Sequence, residues 1–163
     1  MKKILFVCLG NICRSPAAEA IFNNILERAG LNEEFSCDSS GTYRKIAGTS
    51  ADERMVSAAQ KRKIFINHKS RHTLQTDFDK YDYIVGMDDN NIRKLEKIRG
   101  NINIGKAKIL KMSQFLENGE PEIPDPYYCD DSEFEYVLNL LETGCANLLD
   151  YLTEENKKNI SKH

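Results

Sequence analysis

The sequence contains no long hydrophobic segment and little glycine or proline. Its first apolar run, Ile4 to Leu9, is far shorter than the ~20 residues that span a bilayer, and Asn11 and Arg14 follow too early for a signal peptide. Nine glycines, four prolines and 40% hydrophobic residues exclude a collagen-like chain and disfavour a disordered one. We therefore expect a folded protein that is located in the cytoplasm and does not bind membranes.

The sequence also lacks any concentration of basic charge. Lysine and arginine (23) are mixed with aspartate and glutamate (25), for a net charge of −2, so nothing indicates nucleic-acid binding. A length of 163 residues suits one domain. Since no repeat or composition shift divides the chain, we expect one domain over residues 1–155, a charged tail over 156–163, and a monomer.

Five cysteines, an odd number, argue against a disulfide framework in a chain with no export signal. At least one thiol is therefore available for chemistry. Cys8 and Cys13 lie close together in the sequence, whereas Cys37, Cys129 and Cys145 are expected to be packing residues.

Short apolar runs alternate with helical patterns along the chain, which predicts an α/β fold: a single three-layer α/β/α domain with a central, mostly four-stranded parallel sheet. Ligands of such sheets bind at the carboxyl ends of the strands, so the loop after the first strand and the proline-containing segment 118–128 are candidate sites. The predicted strands cover 4–7, 35–40, 82–87 and 107–110, and the predicted helices cover 16–30, 51–62, 88–100 and 133–152, with a helical turn at 112–116.

The loop after the first strand reads Cys8-Leu9-Gly10-Asn11-Ile12-Cys13-Arg14-Ser15. Ser15 is the predicted N-cap of the next helix, and Pro16 its first residue. The N–H groups of a helix N-terminus bind anions, and Arg14 adds a guanidinium that can hold two oxygens. The loop thus predicts a site for a tetrahedral oxyanion such as phosphate. A nucleotide-binding loop is disfavoured, because no Gly-Lys-Ser/Thr follows Gly10.

Two residues are candidates for the chemistry at this site. Cys8 lies at the floor of the predicted anion cradle, where the donors that bind an anion also stabilise a thiolate. A lone cysteine at a strand end is more often a small core residue, but Arg14 and Ser15 in register favour a nucleophile. Asp125 in the long loop is a candidate general acid, although Asp-Pro by itself is usually a turn.

The sequence resembles the low-molecular-weight protein tyrosine phosphatases over nearly its whole length. The resemblance implies hydrolysis of phosphotyrosine monoesters in proteins or peptides, without a cofactor or metal. It implies that Cys8 forms a phosphocysteine, that Arg14 holds the phosphate oxygens, and that Asp125 protonates the leaving phenolate and later activates water. The matching segments are Val7 to Pro16, Asp38 to Thr42, His68 to Arg71, Phe78 to Asp88, and Ile123 to Tyr128.

The resemblance also implies a supporting network, in which Asn11, Ser15, Ser39 and His68 hold the loop in shape and stabilise the thiolate. For His68 an ordinary surface histidine is an equal alternative. Cys13 is interpreted either as a thiol that forms a reversible disulfide with Cys8 or as a small packing residue.

The substrate cleft is expected to include Tyr43, Lys45, Tyr127 and Tyr128. Many relatives carry an aromatic residue where a gapless count places Lys45 or Ile46 here, so either Tyr43 supplies that ring or the cleft accepts acidic peptides through Arg44 and Lys45.

Two features bear on the substrate and on rival functions. Ile12 favours phosphotyrosine, because related phosphoarginine phosphatases tend to have threonine there. An arsenate reductase is disfavoured because residues 81–90 contain no cysteine, and a phosphopeptide-binding module is disfavoured because nucleophile and acid are both present.

Overall fold

The structure, a computed structural model, describes residues 1–100 and 105–162. Two 3₁₀ turns, Arg44–Ile46 and Met112–Phe115, lie in the connections. The strands are β1 (Lys2–Cys8), β2 (Phe35–Gly41), β3 (Tyr83–Gly86) and β4 (Lys108–Lys111), and the helices are α1 (Arg14–Ala29), α2 (Glu53–Gln60), α3 (Asp77–Lys80), α4 (Asp89–Arg99) and α5 (Asp131–Ser161).

The four strands form one parallel sheet in the order β2-β1-β3-β4, as the alternating pattern predicts. Cys8 pairs with Gly41 at the end of β2, while Val7 pairs with Gly86 at the end of β3. The carboxyl ends of the strands therefore meet at one edge, where the loop after β1 begins.

The central strand β1 is buried on both faces, which confirms the three-layer architecture. On one face Ile4, Phe6 and Cys8 join a core with α1, α2 and α5, and Phe6 meets Phe22 of α1 edge to face at 5.5 Å. On the other face Leu5 and Val7 pack with residues of α3 and α4. This alternation explains the continuous apolar run: the strand has no solvent face.

Helix α1 begins earlier than the sequence predicts. It starts at Arg14, the N-cap position is Cys13, and Pro16 is its third residue. Ser15 is therefore not the cap, because its hydroxyl lies 3.0 Å from the sulfur of Cys8 instead of facing the backbone N–H groups of the helix. The residue predicted as a cap thus belongs to the candidate site.

The second and last helices also differ from the predicted ranges. Helix α2 starts at Glu53 with Asp52 as its cap. Helix α5 does not end at Leu152 but continues to Ser161, so the charged residues up to 161 extend the helix and do not form a separate tail. Ion pairs three residues apart, Glu154 with Lys157 and Glu155 with Lys158, accompany this extension.

Within residues 1–100 and 105–162, no helix combines the length and the apolar character that crossing a membrane requires.

Candidate active site

The site is built where the end of β2 passes against the loop after β1. A Cβ atom at Gly41 would lie 2.8 Å from the carbonyl oxygen of Leu9 and 3.0 Å from Cβ of Asn11, so only glycine permits this approach. Backbone N–H groups of Thr42 and Tyr43 then donate to the carbonyls of Cys8 and Leu9, at 3.0 and 2.9 Å. The neighbouring strand thereby fixes the first half of the loop.

Asn11 holds the centre of the loop in an unusual conformation. It has φ of 57° and is fully buried. Its Nδ2 donates to Ser15 Oγ at 2.8 Å and to Ser39 Oγ at 3.0 Å. Its Oδ1 accepts from Arg71 N at 3.0 Å and contacts His68 Nε2 at 2.7 Å. The structure thus brings together the four residues of the predicted network, and these bonds hold a left-handed turn that L-residues rarely adopt.

The same bonds orient Ser15 toward Cys8. Ser15 Oγ accepts from Asn11 Nδ2, so its own hydrogen is available for Cys8 Sγ, 3.0 Å away, or for the carbonyl of Ser40 at 3.3 Å. Cys8 is only 2% exposed. Ser15 Oγ is thus placed to donate a hydrogen bond to Cys8 Sγ.

Arg14 is the most deeply buried charged group near the cleft, at 2% exposed. Its Nη1 donates to Asp88 Oδ2 at 2.7 Å and to the carbonyl of Ile123 at 3.0 Å, and its Nη2 lies 3.5 Å from Asp125 Oδ2. Burial alone would lower the pKa of Arg14, but the negative charges of Cys8 and Asp88 raise it. The guanidinium therefore stays charged and fixed in direction.

Asp88 is a site residue whose role the sequence reasoning missed. The sequence predicts it only as the start of the helix over 88–100, and in the structure it is the cap of α4: its Oδ1 accepts from Asn91 N at 2.7 Å. Its second oxygen holds Arg14. The available signal was the position of Asp88, which directly follows a predicted strand. The carboxyl end of that strand lies at the same edge of the sheet as Arg14.

Asp125 enters the site from the loop that precedes α5. Its Oδ1 accepts from Tyr127 N at 3.2 Å, while its Oδ2 is the oxygen that faces Arg14. The carboxylate is 40% exposed and borders a cleft of about 280 Å³ that also contains Cys8 and Arg14. All three predicted catalytic residues therefore share one cleft.

The walls of this cleft are largely apolar. Tyr43, Tyr127 and Tyr128 line it as predicted, but Lys45 does not. The 3₁₀ turn Arg44–Ile46 leaves Lys45 exposed and directs Ile46 inward, so that a Cβ atom at Gly10 would lie 2.9 Å from Ile46 Cδ1. The wall position that the gapless count left open is thus filled by an aliphatic residue. Leu9, Ile12, Cys13 and Thr49 also contribute.

Glu19 on α1 is the second residue that the sequence reasoning missed. Its Oε1 accepts from Ser39 Oγ at 2.9 Å and lies 3.4 Å from His68 Nδ1. The ligand atoms of Glu19, Asp38 and His68 lie within 4.8 Å of one another, a spacing that a metal ion can use. Glu19 lies one helical turn after Ser15 and therefore on the same face of α1. This spacing could have indicated that Glu19 belongs to the site.

The protonation of this cluster follows from its geometry. Burial, together with the nearby charge of Asp38, raises the pKa of Glu19 to about 7. Burial also acts on Asp38, but the N–H of Ser39 and the charge of Arg71 outweigh it and lower the pKa of Asp38. Burial lowers the pKa of His68 as well. Near neutral pH Glu19, the more buried carboxyl, is therefore close to half protonated, whereas Asp38 is ionised.

We expect Glu19→Gln to change the pH dependence of stability. The pKa of Glu19 rises from 4.5 to about 7 on folding, so the native state binds more protons and wild type loses stability as pH rises through this window. The glutamine amide of the variant has no proton to lose. In thermal melts from pH 4.5 to 8, the Tm of Glu19→Gln should therefore rise relative to that of wild type as the pH increases. The expected change is about 2–4 °C for each kcal/mol of stability that wild type loses. Parallel curves would contradict this.

The remaining cysteines differ from one another in exposure. Burial and the charge of Asp52 raise the pKa of Cys13, so it is a neutral thiol beside Cys8. Cys145 is fully buried on α5, as expected for a packing residue, whereas Cys129 is exposed, so that expectation was wrong.

The fold and the cleft together define a cysteine-dependent phosphatase. The family model described as low molecular weight phosphotyrosine protein phosphatase matches residues 3–159. The chain belongs to this family of cysteine-based hydrolases, which confirms the resemblance found in the sequence.

Similar proteins cover almost the whole chain. The low molecular weight phosphotyrosine protein phosphatase of Saccharomyces cerevisiae is 42% identical over 82% of this chain and 84% of its own length. The human protein of the same name is 36% identical over 91% and 94%. A protein tyrosine phosphatase structure from Entamoeba histolytica, 38% identical, covers 96% of this chain and 99% of its own with a TM-score of 0.86. The Drosophila arginine phosphatase structure, 28% identical, covers 93% and 98% with a TM-score of 0.87.

Proposed function

We propose that this protein hydrolyses phosphotyrosine monoesters in proteins or peptides through a phosphocysteine intermediate. The observation that carries the proposal is the convergence of Cys8 Sγ, the Arg14 guanidinium and the Asp125 carboxylate in one cleft with aromatic walls.

In the first step the thiolate of Cys8 attacks phosphorus, and the bond from phosphorus to the phenolic oxygen breaks. Arg14 holds two of the phosphate oxygens, in an orientation set by Asp88. Asp125 gives a proton to the leaving phenolate. Since Asp125 Oδ1 is occupied by the N–H of Tyr127, we assign this proton to Oδ2, the oxygen that faces the cleft.

In the second step water attacks phosphorus of the phosphocysteine. The Asp125 carboxylate takes a proton from that water, inorganic phosphate forms, and the electron pair of the broken S–P bond returns to Cys8 as thiolate. Ser15 supports both steps, because its O–H favours the charged sulfur that attacks and that leaves.

Phosphotyrosine suits the walls of this cleft better than phosphoarginine. A phenyl ring can pack against Ile12, Ile46 and the tyrosines, whereas a guanidinium needs polar partners. The likeness to the Drosophila arginine phosphatase structure keeps phosphoarginine as the second candidate substrate.

The substrate is tested by comparing matched phosphotyrosine and phosphoarginine peptides with the purified protein. We expect kcat/KM to be at least about tenfold higher for phosphotyrosine, since one apolar contact is worth about 1–3 kcal/mol. Ile12→Thr should reduce this ratio by removing apolar surface from the wall. A preference for phosphoarginine in the wild-type protein would contradict the proposed substrate and would leave the phosphatase chemistry intact.

We further propose that the protein acts as a monomer in the cytoplasm and does not bind nucleic acid. The net charge of −2 without a basic block supports the last point. Light scattering at micromolar concentration tests the monomer by measuring its mass in solution.

The rival function, an arsenate reductase, has its own test. If the protein fails to couple arsenate reduction to thioredoxin, this function is excluded.

A further inference from the structure

Arg54 near the start of α2 joins the two loops of the active site. Its carboxylate partner is Asp52, the N-cap of α2: Nε donates to Asp52 Oδ1 at 3.1 Å and Nη2 to Oδ2 at 2.9 Å. The backbone N–H of Asp52 in turn donates to the carbonyl of Ile12 at 2.8 Å. Arg54 is therefore fixed to the loop that carries the nucleophile.

The other contacts of Arg54 reach the loop that carries Asp125. Its Nη2 donates to the carbonyl of Tyr127 at 2.8 Å, and its Nη1 lies 3.5 Å from the carbonyl of Cys129. The guanidinium also lies over the rings of Tyr127 and Phe134, with its carbon 5.6 and 4.7 Å from the two ring centroids.

Tyr127 links this anchor to the acid. The carbonyl of Tyr127 accepts from Arg54, and its N–H donates to Asp125 Oδ1 at 3.2 Å. The other hydrogen bonds that the described structure records at backbone atoms of 125–129 stay within the segment, such as Cys129 N to the carbonyl of Pro126 at 2.9 Å. Arg54 is thus what ties the segment just after the acid to the nucleophile loop.

We propose that Arg54 is a positioning residue for Asp125, which it holds at the correct distance from Cys8 and Arg14 through the backbone of Tyr127. The inference rests on the proposed role of Asp125 as general acid. It assigns to Arg54 no contact with the substrate. Loss of the anchor lets the acid loop shift, and proton transfer depends steeply on such a shift because the acid must reach the leaving oxygen within hydrogen-bond distance.

The experiment measures phosphocysteine formation in single turnovers with two aryl phosphates. Phenyl phosphate has a leaving group about as basic as tyrosine, with a pKa of about 10, whereas p-nitrophenyl phosphate has a more acidic one that needs less protonation. We expect Arg54→Met to slow phosphocysteine formation about tenfold with phenyl phosphate and about twofold or less with p-nitrophenyl phosphate. Inhibition by inorganic phosphate should be unchanged, because the Arg14 site is intact. Arg54→Lys should recover part of the lost rate.

Arg62→Met is the matched control. Arg62 follows the other end of α2 and bonds Glu135 and Asn139 of α5 at 2.6 and 2.9 Å, away from the Asp125 loop. The Arg62→Met variant should form the phosphocysteine from both aryl phosphates at rates near those of wild type, even if its Tm changes. In a variant that already carries Asp125→Asn, adding Arg54→Met should cause no further loss.

Three outcomes would overturn the role of Arg54: an equal loss on both substrates, multiplying losses in the double variant, or the same leaving-group dependence in Arg62→Met. If the protein were not a phosphatase that uses Asp125 as its general acid, the results would differ in another way. Wild type would then turn over neither aryl phosphate, or Asp125→Asn would slow both substrates to the same extent.

Discussion

Cys8→Ser should lower kcat on phosphotyrosine peptides by at least about 10⁴-fold, in line with the loss of a nucleophile in other covalent hydrolases. The sulfur of Cys8 lies buried beside the cleft, 3.0 Å from the hydroxyl of Ser15. A serine hydroxyl at the same position stays protonated at neutral pH, because no base among the described residues is bonded to Cys8. Steady-state and single-turnover kinetics measure the loss.

The same variant should still bind substrate, because Arg14 and the loop around Asn11 are unchanged. Calorimetry with a phosphotyrosine peptide is expected to give a Kd within about tenfold of the substrate affinity of wild type. Cys37→Ser, at a half-buried position on β2 outside the cleft, is the control and should keep nearly full activity. Turnover by Cys8→Ser at the wild-type rate would exclude the phosphocysteine mechanism.

Arg14→Lys should lower kcat/KM by about 10³-fold even though the charge is kept. The guanidinium of Arg14 bonds Asp88 and the carbonyl of Ile123 through one nitrogen, which leaves the other directed toward Asp125 and the cleft. A lysine ammonium is a single point charge that cannot hold both Asp88 and two phosphate oxygens in a plane. Both turnover and inhibition by inorganic phosphate should weaken.

Arg62→Lys controls for the general cost of exchanging a bonded arginine. Arg62 also donates to carboxylates, of Glu135 and Glu142, but it lies outside the cleft. We expect its activity to remain within about twofold of wild type. If Arg14→Lys kept wild-type phosphate inhibition and kcat, the assigned role of Arg14 would be wrong.

Local sequence was sufficient for the fold and for the chemistry of the first loop. An apolar run such as Ile4 to Val7 has only one favourable location, at the centre of a sheet covered on both faces. The next residues, from Cys8 to Arg14, are close in sequence, so their meeting at a helix N-terminus needs no tertiary information beyond that strand. The sheet order and registers then agree with the predicted alternation.

Two of the errors occur where the tertiary structure decides what a side chain contacts. Ser15 looks like a helix cap but bonds Cys8 and Asn11. Lys45 and Ile46 are neighbours in sequence, and only the 3₁₀ turn decides which one faces the cleft.

The sequence alone therefore predicted the fold and the candidate nucleophile, phosphate-binding arginine and acid. A local pattern marks Cys8 and Arg14, whereas Asp125 is favoured by its place in the long loop and by the family resemblance. Only the tertiary structure decided how they are held. Asp88 is 74 residues in sequence from Arg14, and Glu19 is 11 residues from Cys8. Arg54 is 73 and 75 residues from the two carbonyls to which it donates. Helical and strand periodicity carry no information over the separations of Asp88 and Arg54, whereas the fold brings these two residues into contact with the loops at the carboxyl edge of the parallel sheet.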